Sequence, residues 1–324
     1  MTEKQKNALN KIISELPDNC QELFREVAEY AVFLEYKPKL NAKETYADFI
    51  KSKHGRTILK IETAANPPRL AMRFDALPVY SGIFREAIEN RVNLLEQFDW
   101  FKGNCHGCGK CDRTQGYTYE LPDGRKGFFC GSGVIDLPSF SNENIAEIKN
   151  ALKTQDNYLM NLFVKKNFIQ PKIVKLDKRY IVGLFGNRSK QSELWEDFDE
   201  LYAKEPFAKA DEYKCSIYFW GKNPIPKKNI FFGFESGSAA DGNPFDTIEI
   251  PACEWAVFEV NPAKWWVSGD KKVEGWVANN TAYHWRKYNG AVYQLEYYKE
   301  KFKGGSDPDS LMEVWYPLEK REKE

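Results

Sequence analysis

The chain has 324 residues, more than one ordinary hydrophobic core can organise, and its 42% apolar content is that of a globular protein. Lysine plus arginine and aspartate plus glutamate both total 47, so the chain lacks the basic excess of a free-standing nucleic-acid-binding protein. No stretch approaches the ~20 apolar residues of a membrane span, and the first residues contain no apolar signal core. We therefore expect a cytoplasmic protein of two domains with no membrane partner, and nucleic acid is not a favoured partner.

Residues 1–168 are predicted to form an α+β domain. Amphipathic spacing and alternating apolar runs predict helices across residues 1–50, a β-hairpin over 57–76, a helix over 82–94 and a longer helix over 143–166. Ser141 is placed to cap the last of these helices. Gln170-Pro171 is expected to end that helix and the domain.

Between the last two helices lies a cysteine-rich loop. Its cysteines follow the spacing C-x2-C-x2-C and then FFCG, and they are Cys105, Cys108, Cys111 and Cys130. A hairpin with Pro-Asp-Gly at its turn would carry Cys130 back to the first three. Four thiolates suit a structural Zn²⁺ ion with no open coordination position. An iron–sulfur cluster, redox chemistry and unligated thiols remain the alternatives.

Residues 171–318 change from helical to alternating periodicity. The predicted elements are strand 173–186, helix 191–204, strands 214–220, 229–235 and 247–260, helix 271–287, and strands 291–298 and 310–318. This is one β-α-β-β unit written twice, with Trp195 and Trp276 on the two helices. Such a duplication predicts a curved antiparallel sheet with both helices on one face and a ligand cleft on the other. On the second predicted helix, His284 is expected to be a packing residue.

Strand parity singles out one acidic residue. Glu313 shares a strand face with Trp315, whereas Met312 and Val314 take the opposite face. If Met312 and Val314 pack under the helices, Glu313 points into the cleft, where burial would raise the pKa of its carboxyl. The alternative is a charge at a strand end that is solvated or paired with Lys320.

The same residues resemble a known family. Glu296-x-Tyr298 followed by Glu313-hydrophobic-Trp315-hydrophobic-Pro317 resembles the ending of GyrI-like domains, the effector-binding domains of AraC- and MerR-type regulators. The stretch 250–258, Ile-Pro-Ala-Cys-Glu-Trp-Ala-Val-Phe, is similar to the family's central strand, and 192–196 is similar to the start of its first helix. The resemblance covers about residues 171–318. It implies two β-α-β-β modules, and it maps the family's buried glutamate onto Glu313.

The function that the resemblance implies is the binding of planar hydrophobic or cationic small molecules, and the cleft would hold them on aromatic rings. The expected ligand-binding residues are Glu313, Trp315, Tyr218, Trp220, Trp255, Tyr293, Glu296 and Tyr298. Core packing is the other explanation for the aromatic members of this set. One alternative function is hydrolysis of reactive electrophilic small molecules, with Glu313 as the catalytic residue. A second is a ligand-responsive transcriptional regulator, although the first 168 residues contain no recognisable helix-turn-helix.

Overall fold

A computed structural model describes residues 2–80, 82–96, 116–121, 123–124, 126–131, 133–221, 227–240 and 244–321. The chain divides into two compact units, Met1–Phe163 and Val164–Glu324. Three of the predicted metal ligands, Cys105, Cys108 and Cys111, lie outside the described residues. Across the described helices, none combines the length and the apolar character needed to cross a membrane.

The N-terminal unit is a mixed α+β structure. Its helices are α1 (Glu3–Ser14), α2 (Asp18–Phe33), α3 (Gly82–Glu96) and α4 (Ile145–Asn167). Its strands are β1 (Lys37–Leu40), β2 (Tyr46–Lys51), β3 (Arg56–Glu62), β4 (Arg69–Met72), β5 (Gly116–Glu120), β6 (Lys126–Cys130) and β7 (Ile135–Asp136). Five strands form an antiparallel sheet in the order β1-β2-β3-β4-β7, while β5 and β6 pair as a separate hairpin.

One prediction for this unit is wrong. Helices were expected across residues 1–50, but within that stretch Lys37–Leu40 forms β1 and residues from Tyr46 onwards form β2. The reason is their period of two, because Ala47, Phe49 and Lys51 are buried and the residues between them are only half-buried. The hairpin predicted over 57–76 is confirmed by the pairing of β3 with β4, and the helices predicted over 82–94 and 143–166 are confirmed as α3 and α4.

A buried arginine ties the end of the β5–β6 hairpin to the rest of the N-terminal unit. Arg73 is only 2% exposed, and its Nη1 donates a hydrogen bond to the carbonyl oxygen of Gly131. Gly131 follows Cys130 directly, and a Cβ atom there would lie 2.8 Å from Oδ2 of Asp75. The close approach of Asp75 and the bond from Arg73 therefore fix the backbone beside Cys130, whichever partner the thiol takes.

The C-terminal unit is duplicated as the sequence predicts, but each copy has one strand more than expected. The single strands predicted over 173–186 and 247–260 are each two strands separated by two residues, Lys172–Leu176 with Arg179–Gly186 and Asp246–Ile250 with Cys253–Val260. Its strands are β8 (Lys172–Leu176), β9 (Arg179–Gly186), β10 (Lys214–Trp220), β11 (Ile230–Ser236), β12 (Asp246–Ile250), β13 (Cys253–Val260), β14 (Tyr283–Trp285), β15 (Lys287–Tyr288), β16 (Ala291–Tyr298) and β17 (Met312–Lys320). Its helices are α5 (Gln191–Lys204), α6 (Pro262–Ser268) and α7 (Lys271–Asn279). The two copies are β8-β9-α5-β10-β11 and β12-β13-α6-α7-β16-β17.

The order of the strands is a palindrome of the two copies. It reads β12-β9-β11-β10-β16-β17-β13-β8, so β10 and β16 join the copies at the centre. Only two residues connect β8 to β9, and only two connect β12 to β13, yet each connection joins strands near opposite ends of the order. Three Cα–Cα steps span at most about 11 Å. The sheet must therefore curl until its two ends nearly meet.

Curling gives the sheet two different surfaces, which we call the helix face and the inner face. On the helix face, α5 packs Trp195 on Phe232 with ring centroids 4.2 Å apart, and α7 packs Trp276 against Phe258 at 5.7 Å. The inner face is a closed apolar cluster to which both ends of the sheet contribute. Its members include Ile248 and Ile250 of β12, Val174 and Leu176 of β8, and Trp255, Tyr293, Leu295, Tyr297 and Trp315 from the strands between.

The curved antiparallel sheet with helices on one face is confirmed, but the helix predicted over 271–287 is wrong. It ends at Asn279, and residues 283–285 form β14, which pairs with β17. His284 is accordingly exposed on a strand, with its Nε2 2.9 Å from Oε2 of Glu319, and it is not a packing residue. The cleft expected on the surface away from the helices is also wrong, because the inner face there is a packed core.

A pair of glycines permits the tightest part of the curl, and this predicts a stability effect. Gly183 of β9 lies opposite Gly233 of β11, and a Cβ on Gly183 would fall 1.9 Å from the carbonyl oxygen of Phe232. We expect Gly183→Ala to lower the free energy of unfolding by about 3 kcal/mol or more, because only backbone atoms could move aside. Urea denaturation followed by tryptophan fluorescence measures this, since eight of the nine tryptophans follow residue 190.

The matched control is Gly237→Ala. Gly237 is exposed, and a Cβ there meets nothing within 4 Å. This variant should unfold at the wild-type urea concentration. Equal stability of the two variants would contradict the idea that the Gly183–Gly233 contact shapes the sheet.

Candidate functional site

The site lies on the helix face, where the two copies meet. In the antiparallel pairing of β10 with β16, Ser216 lies opposite Glu296 and Tyr218 opposite Gln294. Strand alternation sends Gln294, Glu296 and Tyr298 to the helix face and leaves the residues between them to the inner face. Glu296 therefore occupies the centre of the sheet, in one of the two strands that join the copies.

Glu296 is a buried carboxylate surrounded by hydrogen-bond donors. It is 2% exposed. Its Oε1 accepts from Nε1 of Trp265 at 2.8 Å and from Nε2 of Gln294 at 3.2 Å, and its Oε2 accepts from Nε1 of Trp266 at 2.9 Å and from the Tyr298 hydroxyl at 3.2 Å. Because indole N–H groups can only donate, the shell favours the ionised carboxylate.

The positive charge of Arg188 opposes the rise in pKa that burial causes at the Glu296 carboxyl, but it acts from a distance and not through an ion pair. Among the described residues, no lysine, arginine or histidine forms an ion pair with Glu296. Arg188 is an exposed arginine whose guanidinium lies 5.2 Å from the centroid of the Tyr218 ring. Burial raises the pKa of Glu296 above its usual 4.5, and the hydrogen bonds from Trp266, Trp265 and Tyr298 oppose that rise. Glu296 is therefore a buried carboxylate whose hydrogen-bond donors are all neutral.

Helix α6 brings the two indoles to the carboxylate, and the sequence explains why it forms. Asn261 caps it by accepting a hydrogen bond from the Lys264 amide, Pro262 takes the first helical position, and Gly269 ends it with φ of 63°. The Asn261 Nδ2 also donates to the carbonyl oxygens of Pro308 and Ser310, each at 3.0 Å. The start of α6 is thus fixed to the loop that precedes β17.

Aromatic rings surround Glu296 on the helix face, and one buried polar atom among them has no hydrogen-bond partner in the part of the chain that the structure describes. The ring of Tyr298 lies 5.2 Å from that of Trp195 and 6.4 Å from that of Trp266. Nε1 of Trp195 is buried and has no hydrogen bond to any described residue, whereas the Tyr218 hydroxyl interacts with the Tyr298 hydroxyl and with Gln191. Buried polar groups without a partner are rare and mark places where a ligand or water completes the structure.

The structure divides the predicted site residues between the two faces. Glu296, Tyr298, Tyr218 and Trp220 lie on the helix face, where Trp220 stacks on Tyr218 at 6.3 Å. On the inner face lie Trp255, Tyr293, Trp315 and Glu313, of which the three aromatic residues are core members. The eight residues therefore do not form one cluster.

Glu313 does not occupy the position that the sequence predicts for it. Its side chain is 27% exposed, and its Oε2 lies 2.9 Å from Nζ of Lys299 and accepts a hydrogen bond from Nε1 of Trp315 at 2.8 Å. Glu313 does lie on the face away from the helices, as strand parity predicts. That face is a packed core and not a cleft, and Glu313 lies at its edge. The partner proposed as the alternative, Lys320, instead lies 3.4 Å from Oε2 of Glu254.

Sequence reasoning missed Trp265 and Trp266, because it ran a single helix through 271–287 and placed none at 262–268. A local signal existed, since Asn-Pro at a helix start and glycine seven residues later are typical of a short capped helix. What no local signal carries is the contact between Trp265 and Glu296, which are 31 residues apart.

The comparisons with known proteins find structural likeness only. No family model matches the chain, and no curated protein is significantly similar to it in sequence. Membership of the GyrI-like family therefore stays a prediction.

Among solved structures, the chain is similar to EcmrR in a complex with DNA, with 13% identity and a TM-score of 0.36 over 56% of this chain and 73% of that one. It is also similar to SAV2435 bound to tetraphenylphosphonium, with 14% identity and a TM-score of 0.36 over 47% and 94% of the two chains. An integron cassette protein from the mobile metagenome of Vibrio cholerae gives 10% identity and a TM-score of 0.29 over 47% and 98%. Scores of this size establish neither a family nor a function.

The burial of Glu296 predicts a specific pH dependence of stability. Because folding raises the pKa of this carboxyl above 4.5, the folded protein holds the proton more tightly than the unfolded chain does. Its stabilising contribution is complete below pH 4.5 and is lost as the pH rises through the pKa of the folded state. We expect the free energy of unfolding of the wild type, minus that of Glu296→Gln, to fall between pH 4 and pH 7.5.

Urea denaturation of both proteins across this range measures the difference. All other titrating groups are shared by the two proteins and cancel, and equal m values show that both unfold from the same native state. A difference that stays constant or grows with pH would contradict a raised pKa for Glu296.

Proposed function

We propose that the C-terminal unit binds a small organic cation with apolar, aromatic groups, and that Glu296 is its counter-charge. The observation that carries this proposal is the fully buried carboxylate of Glu296, which has four neutral donors and no ion pair among the described residues. The sequence led to the same ligand class but assigned the carboxylate to Glu313.

Electrostatics favours a cation over a neutral or anionic ligand. Leaving an ionised carboxylate in a low-dielectric setting is costly unless a positive charge compensates it. The rings of Tyr298, Trp195 and Trp266 also attract a cation, each by about 0.5–2 kcal/mol depending on how much water is removed. An anionic ligand would meet repulsion from Glu296 and from the faces of the same rings.

Three other cations of the unit are already paired with other carboxylates, and Arg188 acts on Glu296 only from a distance. Lys299 is paired with Glu313, Lys214 with Asp199 at 2.6 Å, and Arg179 with Glu235 at 2.8 Å. A bound ligand would contact Glu296 only by replacing one of its four donors, because each carboxylate oxygen already accepts two hydrogen bonds. The buried Nε1 of Trp195 is a further hydrogen-bonding group for a ligand there.

A test compares a charged ligand with a neutral ligand of the same shape. With 10-methylacridinium and acridine at pH 8, calorimetric titration should show that Glu296→Gln weakens binding of the cation about tenfold or more, which corresponds to about 1.4 kcal/mol. Binding of neutral acridine should change little, because its ring contacts remain. Tetraphenylphosphonium, the ligand of SAV2435, serves as a second, non-planar cation.

Glu313→Gln is the matched control for this experiment. Both glutamates accept an indole N–H, but Glu313 lies on the inner face and is neutralised by Lys299. This variant should bind the cation as the wild type does. A wild type that binds neither cation, or a loss that is equal in Glu313→Gln and Glu296→Gln, would overturn the proposal.

Hydrolysis of an electrophilic small molecule is the second candidate function, and the raised pKa of Glu296 is the observation that favours it. A carboxyl with a raised pKa can donate a proton to a leaving group or accept one from water. Mass spectrometry of electrophiles after incubation with the wild type and with Glu296→Gln tests this. Turnover by the wild type that Glu296→Gln abolishes would identify an enzyme.

We also propose that Cys105, Cys108, Cys111 and Cys130 hold one structural zinc ion. Within the described part of this loop, Cys130 ends β6 and the bond from Arg73 to Gly131 holds the next residue. This rigid neighbour would preorganise one ligand of the set. The chemistry supplied would be structural, since four thiolates leave no open coordination position.

Elemental analysis of protein purified without chelators should find about one zinc per chain, the content of a single four-thiolate site. Cys130→Ser should lose most of this zinc because it removes one ligand. Cys20→Ser is the control and should keep it, since Cys20 lies on α2, where its thiol donates to the Pro17 carbonyl. Absence of zinc from the wild type, or iron with an absorption band near 400 nm, would contradict a zinc site.

A further inference from the structure

A second unusual charged group lies on the inner face, away from Glu296. Arg179 begins β9, and its side chain shares the inner face with Ile181 and is only 11% exposed. Its guanidinium carbon lies 5.2 Å from the ring centroid of Trp315, 5.6 Å from that of Trp255 and 5.9 Å from that of Tyr297. Three aromatic rings therefore surround the guanidinium of Arg179 on the inner face of the sheet.

Only one of the nitrogens of this guanidinium donates a hydrogen bond to a described residue. Nη1 donates to Oε2 of Glu235 at 2.8 Å, and the Tyr297 hydroxyl donates to the same oxygen at 3.2 Å. Nε and Nη2 are buried and have no acceptor among the residues that the structure describes. These two nitrogens present parallel N–H groups with the spacing of the two oxygens of a carboxylate.

The neighbouring polar atoms lack the same kind of partner. Nε1 of Trp255 and the Tyr293 hydroxyl are buried without a hydrogen bond to any described residue, and their rings are 6.1 Å apart. Arginine and tryptophan only donate, so what this region lacks is an acceptor. Each buried donor left unsatisfied costs about 1–3 kcal/mol, which a bound acceptor would recover.

We propose that the Nε–Nη2 edge of Arg179 binds a small planar oxyanion, of the size and shape of formate, acetate or bicarbonate. The charge and the parallel donors favour an oxyanion over a halide, because a single atom cannot lie in line with both N–H groups as two carboxylate oxygens can. The site is independent of Glu296, since it lies on the opposite face of the sheet and takes the opposite charge.

The experiment follows the Nε–H resonance of Arg179 in the ¹H–¹⁵N spectrum of the full chain. Formate, acetate and bicarbonate are titrated at constant ionic strength against chloride. We expect a saturable shift with the three oxyanions and at most a weak one with chloride. The resonance is identified by its absence from Arg179→Lys, which keeps the positive charge but has no donor fork.

Affinity for formate, followed by the rise of the thermal midpoint, should fall about tenfold or more in Arg179→Lys, or about 1.4 kcal/mol. Arg188→Lys is the matched control, because Arg188 also lies over an aromatic ring but is exposed. It should respond as the wild type does, and so should Glu296→Gln. No saturable shift in the wild type, or an equal response in Arg179→Lys, overturns the proposal.

The wild type alone can also decide the question if Arg179→Lys does not fold. Crystals grown with formate should show its two oxygens on Nε and Nη2 of Arg179. Ordered water at this edge, unchanged by formate, would overturn the proposal, because the unsatisfied donors would then belong to hydration and not to an anion site.

Discussion

Two short connections constrain everything else in the C-terminal unit. Because only two residues join β8 to β9 and β12 to β13, the joined ends of strands from opposite ends of the sheet must lie within about 11 Å of each other. The sheet can satisfy this only by curling, which seals one surface around an aromatic core and leaves the other for the helices. The opposed glycines of β9 and β11 are the local means of achieving that curvature.

Closure of the inner face determines which polar side chains can reach solvent or a charged partner. A carboxylate at the rim, such as Glu313, reaches a lysine and partial solvent. A carboxylate at the centre of the helix face, such as Glu296, reaches neither and is covered by α6. The two residues are 17 positions apart and both accept an indole N–H, so their different electrostatic situations come from the fold and not from local sequence.

The two faces also have opposite electrostatic needs. On the helix face a carboxylate is surrounded by neutral donors and has no ion-pair partner among the described residues. On the inner face a guanidinium with a single carboxylate partner has two N–H-bearing nitrogens without a described acceptor. Aromatic rings border both groups, which explains the concentration of tryptophan in this half of the chain. Aromatic rings attract a nearby cation and exclude water. They can therefore border a cationic ligand, as proposed beside Glu296, or a cationic side chain such as Arg179.

The sequence by itself determined the class of the fold. Alternation of apolar residues identified most of the strands, and the repeated pattern identified the duplication and the side on which the helices lie, because these depend on short-range periodicity. The prediction of secondary structure failed where a short segment fits both a helical and an alternating pattern of apolar residues. Strands β1, β2 and β14 were predicted as helix for this reason. The short helix α6 was missed because seven residues carry too little periodicity to register.

The alternation of side chains along β17 was predicted correctly, but it identified Glu313 as the buried carboxylate, whereas the structure buries Glu296. Alternation states which residues share a face but not whether that face is open, and the curl that closes the inner face depends on pairings between residues 63 to 85 positions apart. The buried charge of Glu296, its indole donors from α6 and the unsatisfied edge of Arg179 all arise from such long-range contacts. Only the tertiary structure decided them, because burial and hydrogen-bond partners belong to the packed molecule and not to any stretch of the chain.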